Sequence, residues 1–477
     1  MSGIIGSFAG NYEWVRKNID DLKRRGPDGW KIIESDAAVF GYTNLRIDAE
    51  KMHPILSNNV LLCFDGRIWN KDKIRSKIKN FNWMSWDETS DADLVFLYYV
   101  SFCRNNPIKL LRDLIGMFAL AIYDRRTKNK ILMRDEMGQR PLYYTLEGEF
   151  ASKQKILSKN NMLDMERFKE LMFYGYPKGS LYHDVYEVIP GTMVLNNKVH
   201  YLLKDYSKNN IFINYEYFKN LFEESVKNNF FNRKVPIAFA FSGGLDTCAI
   251  LSTLIKNDLR DIKLVMLDIG NEEDNLNSRK IAEEFGFEYS VFKKNLCSGY
   301  TLLNRLETPI ELGSVFFIEN IAGEVAEYTN CKTVLLGDGG DELLLGYDRY
   351  KEENKNYLQR ITKNNFYNPI DLEWDLEKIR RYDIKNELIY YHVKSKDIYS
   401  EFGLEARCPF LYQPIRDLVL RTNSYDLLDK KWIRKIIKEH GILNKIYYLQ
   451  SKRAFKIGNV DKIRNSLIMN FLEINKK

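Results

Sequence analysis

From about residue 215 onward the chain repeats one unit: a short apolar run, a glycine-rich turn and a helix. A helical pattern over 215–230 precedes the apolar run 237–241, which enters the turn Ser242-Gly243-Gly244-Leu245-Asp246-Thr247 and a helix beginning near Asp246. A second run, 263–267, leads to a helix over 277–285. A third, 333–336, runs into Gly337-Asp338-Gly339-Gly340-Asp341-Glu342, with Gly346-Tyr347 soon after. Strands that alternate with helices pair in parallel through crossover connections. This half is therefore expected to be an α/β doubly wound parallel sheet, with ligands beyond the carboxyl ends of its strands.

Both turns carry more chemistry than a chain reversal needs. In the first, two glycines let the backbone approach a polyphosphate, and the following helix offers free N–H groups with a favourable dipole. Ser242 and Thr247 add hydroxyls, whereas an ordinary glycine-rich turn has no use for Ser, Asp and Thr at these places. The acidic groups of the second turn suit magnesium shared with phosphate oxygens, because magnesium takes few carboxylates and fills its shell with substrate and water. An acidic surface turn is the plainer alternative; its place after a buried strand counts against that.

The first turn is similar to the pyrophosphate-binding loop of the ATP-pyrophosphatase superfamily. The second turn, with its later Gly-Tyr, and the run Leu404-Glu405-Ala406-Arg407-Cys408-Pro409-Phe410-Leu411 resemble two further signatures of the asparagine synthetase family, in the same order and spacing. The resemblance implies that Ser242, Gly243, Gly244, Asp246, Thr247 and Gly337 contact ATP, and that Asp246 and Asp341 bind Mg2+. Asp338 takes the place of a family glutamate near the acyl-adenylate, one methylene shorter. Lys452 matches the family's late lysine, which neutralises charge as the adenylate and tetrahedral intermediate form; Lys452 and Asp338 are thus the expected catalytic groups. Arg407 would orient neighbouring loops. After Glu307-Thr308 the family carries a Thr-Thr-x-Arg stretch that helps hold aspartate, but here the run is Glu311-Leu312-Gly313-Ser314-Val315-Phe316-Phe317. The missing arginine puts aspartate in doubt as the substrate.

The first 157 residues alternate β-rich runs (39–42, 60–64, 118–123) with helical patterns near 92–102 and 107–114, as an α+β layered domain would. Arg24-Arg25-Gly26-Pro27-Asp28, the run 116–124 and Arg134-Asp135 with Gly138 and Pro141-Leu142-Tyr143 resemble the family's glutamine amidotransferase domain. The resemblance implies an N-terminal-nucleophile-like αββα fold. That chemistry uses a cysteine whose own α-amine acts as base, and Ser2 occupies its place as a degenerate glutaminase position. The family's glutamine-contacting Arg falls at Asn44, its Asn-Gly-Glu at Asp65-Gly66-Arg67 and its Ala-Ser-Glu at Ala151-Ser152-Lys153, while Asp91 fits the pocket aspartate. Arg67 would repel a glutamine α-ammonium. The front domain, 1–157, is expected to be inactive, joined by a connector, 158–214, to the ATP-pyrophosphatase domain, 215–477.

At 477 residues the chain is long enough for two or three domains, and its 45% apolar and 29% charged residues are ordinary for a globular protein. A net charge of +7 is spread along the chain with no RNA- or DNA-binding motif, so no nucleic-acid partner is expected. No stretch approaches a membrane span and no signal peptide is visible, which points to a cytoplasmic enzyme with no membrane partner. Six isolated cysteines read as reduced thiols. The expected activity is ATP-dependent amide ligation that adenylates a small-molecule or peptide carboxylate and passes an amine or ammonia to it without glutamine hydrolysis on this chain; with the amine already on the substrate, it would resemble the cysteine-less β-lactam synthetases and lasso-peptide cyclases. An asparagine synthetase proper and a non-catalytic scaffold are the alternatives, and homodimerisation is left open.

Overall fold

A computed structural model describes residues 1–47, 53–78, 89–174, 176–204, 206, 214–230, 236–268, 272–293, 312–351, 375–393 and 396–442. Its front half is built on two six-stranded antiparallel sheets. One contains Gly3–Ser7, Trp30–Ser35 and Ala38–Thr43; the other contains Val60–Ile68, Gly116–Asp124 and Asn129–Arg134. Alternation along these strands sends side chains to both faces. Ile4, Phe8, Phe40 and Tyr42 pack against Cys63, Ala119, Ala121 and Leu132 in the middle. Outside, Val15, Ile19 and Leu22 cover the first sheet, and the helix Asp91–Tyr98 covers the second. The result is a helix–sheet–sheet–helix sandwich. Ser90 starts its outer helix with a reciprocal capping box to Asp93.

Residues 158–214 do more than connect. Thr192–Leu195 pairs with Asn129–Arg134 through Leu195 opposite Ile131, Lys198–Tyr201 adds the next strand, and Tyr186–Glu187 extends the other sheet. Strand-forming residues there finish the edges of the front sheets, which the turn dipeptides of the sequence concealed.

The rear sheet has five parallel strands: β1 (Ile237–Ala240), β2 (Ile262–Asp268), β3 (Glu288–Lys293), β4 (Thr333–Leu335) and β5 (Glu405–Arg407). Their order is β3-β2-β1-β4-β5. The chain winds outward from β1 to β3, then returns to lay β4 on the other side of β1. The reversal opens a crevice between the carboxyl ends of β1 and β4, where the two glycine-rich turns emerge. Helix α1 (Leu245–Lys256) leaves the first turn with Ile250, Leu251 and Leu254 fully buried, and α4 (Lys431–His440) packs in the same core through Ile433 and Ile437. Between them in sequence lie α2 (Gly340–Leu343) and α3 (Asp397–Glu401).

The halves meet through charge. Arg25 bonds Asp397 (3.2 Å), Arg140 bonds Glu405 (2.9 Å), Lys153 bonds Glu401 (2.5 Å) and Lys332 bonds Asp28 (2.7 Å). Met1 and Met137 add apolar surface to the rear core. The described cysteines, Cys63, Cys103, Cys248, Cys331 and Cys408, are free and buried; Cys297 lies outside the described residues. Among the described residues no helix is long and apolar enough to cross a membrane.

Candidate functional site

At the crevice, the first turn is held by its own side chains. The Ser242 and Thr247 hydroxyls lie 3.3 Å apart, the Gly244 amide donates to Ser242 Oγ, and Thr247 Oγ1 donates to the Gly244 carbonyl. Gly244 caps α1 from an extended conformation, leaving Asp246 in the helix's first turn. The second turn closes on it from β4. A β-carbon at Gly340 would overlap the Asp246 carboxylate, so only glycine lets the two turns approach this closely.

One ammonium joins them. Lys430 Nζ lies 2.5 Å from Asp246 Oδ2 and 2.7 Å from Asp341 Oδ1, with the lysine only 5% exposed. Burial disfavours the ammonium, but the Asp246 and Asp341 carboxylates outweigh it and push the Lys430 pKa up. Asp429 and Lys430 both take left-handed backbone, φ 56° and 55°, an uncommon conformation away from glycine. Their amides donate to the Leu345 and Leu344 carbonyls at 3.1 Å, which aims the lysine back into the crevice. Gly346 makes room for it, since a β-carbon there would overlap both the Lys430 side chain and the Asp341 carboxylate.

The remaining acids of the second turn part company. Asp338 Oδ2 is 2.7 Å from Lys396 Nζ and stays partly exposed. Glu342 is buried and takes the Tyr347 hydroxyl, so it packs the turn rather than facing the crevice. Arg407 is equally internal: it donates to Glu405 Oε1 and to the Asn229 carbonyl.

In the front domain, Ser2, Tyr42, His53, Asp65, Arg67, Asp91 and Glu405 surround one polar pocket. Ser2 Oγ accepts from the Leu45 amide at 3.0 Å. Arg67 reaches through the pocket to Asp91 (3.7 Å) and Glu405 (3.9 Å), and Lys71 takes the other Asp91 oxygen at 2.8 Å. Burial lowers the His53 imidazole to about 4 and keeps it neutral near pH 7. Burial raises the Asp65 pKa against the pull of Arg140 and Arg25. Asn44 is buried beside this region.

Comparison with known sequences follows the two halves. The glutamine amidotransferase domain profile matches residues 1–207, and the asparagine synthase profile matches residues 217–473. The chain belongs to the asparagine synthase family. It is 26% identical to a probable glutamine-hydrolysing asparagine synthetase of Acanthamoeba polyphaga mimivirus, over 92% of this chain and 80% of the relative. It is 25% identical to the glutamine-hydrolysing asparagine synthetase B of Escherichia coli K12, over 92% of this chain and 78% of the relative. It is 22% identical to a glutamine-hydrolysing asparagine synthetase of Zea mays, over 92% of this chain and 73% of the relative. The protein is an asparagine-synthetase-like, ATP-dependent carbon–nitrogen ligase.

Among the family's expected site residues, the fold brings Ser242, Gly243, Gly244, Asp246, Thr247, Gly337 and Asp341 to one crevice, with Asp338 at its rim. Gly337 abuts Thr247 and Asp246. Ser2 sits apart, in the front pocket. Lys452 and 294–311 lie outside the described residues, and so do the side chains of 312–317, although helix Leu312–Tyr328 starts there. Sequence reasoning missed Lys430 and Lys396. Neither has a local pattern that separates it from a solvated lysine; the one hint is Asp429-Lys430 lying just before an amphipathic helix.

A divalent ion fits the pair Asp246 and Asp341. A cation already lies between them, both supply oxygen, and magnesium asks a protein for only one or two carboxylates. Lys430→Gln should therefore destabilise the metal-free protein by about 3 kcal/mol, the scale for removing one partner of a buried ion pair. Millimolar Mg2+ should recover part of the loss, so thermal melts should show a larger Mg2+ response in the variant than in the parent. Equal melting temperatures with equal Mg2+ responses would rule out this coupling.

Proposed function

We propose that the protein is an AMP-forming ligase that adenylates a carboxylate and transfers an amine or ammonia to it, without hydrolysing glutamine on this chain. The observation that carries the reading is the crevice between β1 and β4, where two carboxylates from two glycine-rich turns share one cation. In this reading Ser242, Gly243, Gly244 and Thr247 hold the pyrophosphate end of ATP against the start of α1, with Gly337 opposite. Asp246 and Asp341 would hold Mg2+, which when bound neutralises charge on the phosphate oxygens. Lys430 holds the two carboxylates in register, and its ammonium would offset the charge of the leaving pyrophosphate.

The substrate carboxylate oxygen attacks the α-phosphorus, and the bond from that phosphorus to the bridging oxygen breaks, releasing pyrophosphate. The amine then attacks the acyl carbon, AMP leaves, and Asp338 takes the amine's proton. Lys452 is proposed to neutralise the tetrahedral intermediate. The front unit, 1–157 with the sheet edges that 186–201 add to its N-terminal-nucleophile-like αββα layering, is proposed to have lost glutaminase chemistry, because Arg67 and Lys71 pair with Asp91 and Ser2 stands in place of the thiol. The ligase unit is 215–477.

A second reading, aspartate amidation, is favoured by the names of the relatives. Both are tested by pyrophosphate and AMP release with MgATP across a panel of carboxylates, with ammonium, glutamine or neither. Release with a carboxylate other than aspartate, supported by ammonium or by an amine within the substrate, is expected. Aspartate and glutamine together as the best pair would favour the second reading, and no AMP with any acid would leave a scaffold.

A further inference from the structure

The front domain's basic side chains converge on one short piece of the ligase domain. Arg25 Nη1 lies 3.2 Å from Asp397 and donates to Ser400 Oγ at 3.1 Å. Lys153 Nζ is 2.5 Å from Glu401. All three partners belong to α3, a single turn and a half with Ile398, Tyr399, Ser400 and Glu401 buried. The next residues are gripped as well: Gly403 passes over Pro27, and Glu405 in β5 takes Arg140 at 2.9 Å and Arg67 at 3.9 Å. Arg67 and Lys153 stand at two positions where the family resemblance would put glutamates. Here both point at ligase carboxylates.

The gripped piece leads to the crevice at both ends. Lys396, immediately before α3, is buried and places Nζ 2.7 Å from Asp338 Oδ2. At the other end, the Arg407 carbonyl of β5 accepts the Leu336 amide at 2.9 Å, directly before Gly337-Asp338. An aspartate in the place of a longer glutamate reaches less far, so its carboxylate is sensitive to where its partner stands. We propose that Lys396 is a positioning residue that sets the Asp338 carboxylate at the rim of the crevice, and that the front domain fixes Lys396 by clamping α3 through Arg25 and Lys153. The former glutaminase pocket thus serves the ligase as a mechanical support, and its charge reversals are the means. The role assigned to Asp338 rests on the ligase reading above; the clamp and its transmission do not.

Hydrogen–deuterium exchange on the full chain, with no substrate added, tests the clamp apart from the activity. Lys153→Glu should speed exchange about tenfold in the peptide over 396–403 and also in the one over 336–346. The charge-swapped pair Lys153→Glu with Glu401→Lys should return both to the parent level. Lys396→Met should speed exchange only in the turn peptide, with Lys396→Arg restoring it. Lys159→Glu, at an exposed pair with Glu147, should change neither peptide. If Lys153→Glu does not fold, Lys153→Gln removes the bridge without adding repulsion. A response confined to 396–403, or a turn peptide indifferent to both Lys153 and Lys396, overturns the proposal even if the protein proves to be an AMP-forming ligase.

Discussion

Asp246→Asn should lower AMP formation on the order of 10³-fold, the scale for removing a group that stabilises developing charge in a water-excluded site. The substitution keeps shape and removes charge at the point where both turns meet. Lys430 would keep Asp341 as partner but lose the closer of its two carboxylates. A divalent ion would be left with one acidic ligand instead of two, which weakens the protein's hold on a cation that dehydrates reluctantly. The same variant should lose the Mg2+ dependence of ATP binding, measured by calorimetry with and without the metal. Because glycine at 340 is needed to fit the Asp246 side chain, Asn of equal size should fold normally. An AMP-forming rate within the range of the parent, in a folded protein, would remove the crevice from the chemistry.

Ser2→Cys should leave glutamine hydrolysis at the buffer rate. Restoring the thiol supplies the nucleophile alone, and a nucleophile is one part of a site that needs its binding groups in place. Asp91 is already ion-paired with Lys71 and Arg67, so a substrate ammonium would have to compete with two cations for it. Glu405 strengthens that competition. Burial works against its carboxylate, yet Arg407, Arg140 and Arg67 outweigh that and hold its pKa well below the usual range, so it stays ionised and keeps Arg67 in place. A coupled assay for glutamate should detect none above background with the parent or with Ser2→Cys. Glutamate released as fast as AMP by either protein would show the front pocket to be a working glutaminase.

Much of the rear sheet is legible in the sequence. The strands expected at 237–241, 263–267 and 333–336 appear as β1, β2 and β4 with ends shifted by a residue or so. Each is a continuous apolar run closed by a turn, the form that a strand buried on both faces must take. Elements without that form were missed. β3 begins with Glu288 and is only partly buried, and β5 lies inside a stretch read as a signature rather than as a strand. The sheet edges contributed by 186–201 were missed because four-residue strands are too short to show periodicity.

What the sequence by itself determined is the pair of glycine-rich turns, their acids and the serine at position 2. Those depend on residue identity and local backbone freedom, which neighbouring letters record. Only the tertiary structure decided that Lys430, nearly two hundred residues from Asp246, supplies the cation between the turns, and that Lys396 stands on Asp338. It likewise decided that Lys153 pairs with Glu401 of the ligase domain and that Arg67 stands between Asp91 and Glu405. A charge finds its partner through space, and the low polarisability of the interior makes that partner obligatory; nothing in the local sequence of a lysine or an arginine says which carboxylate will be there.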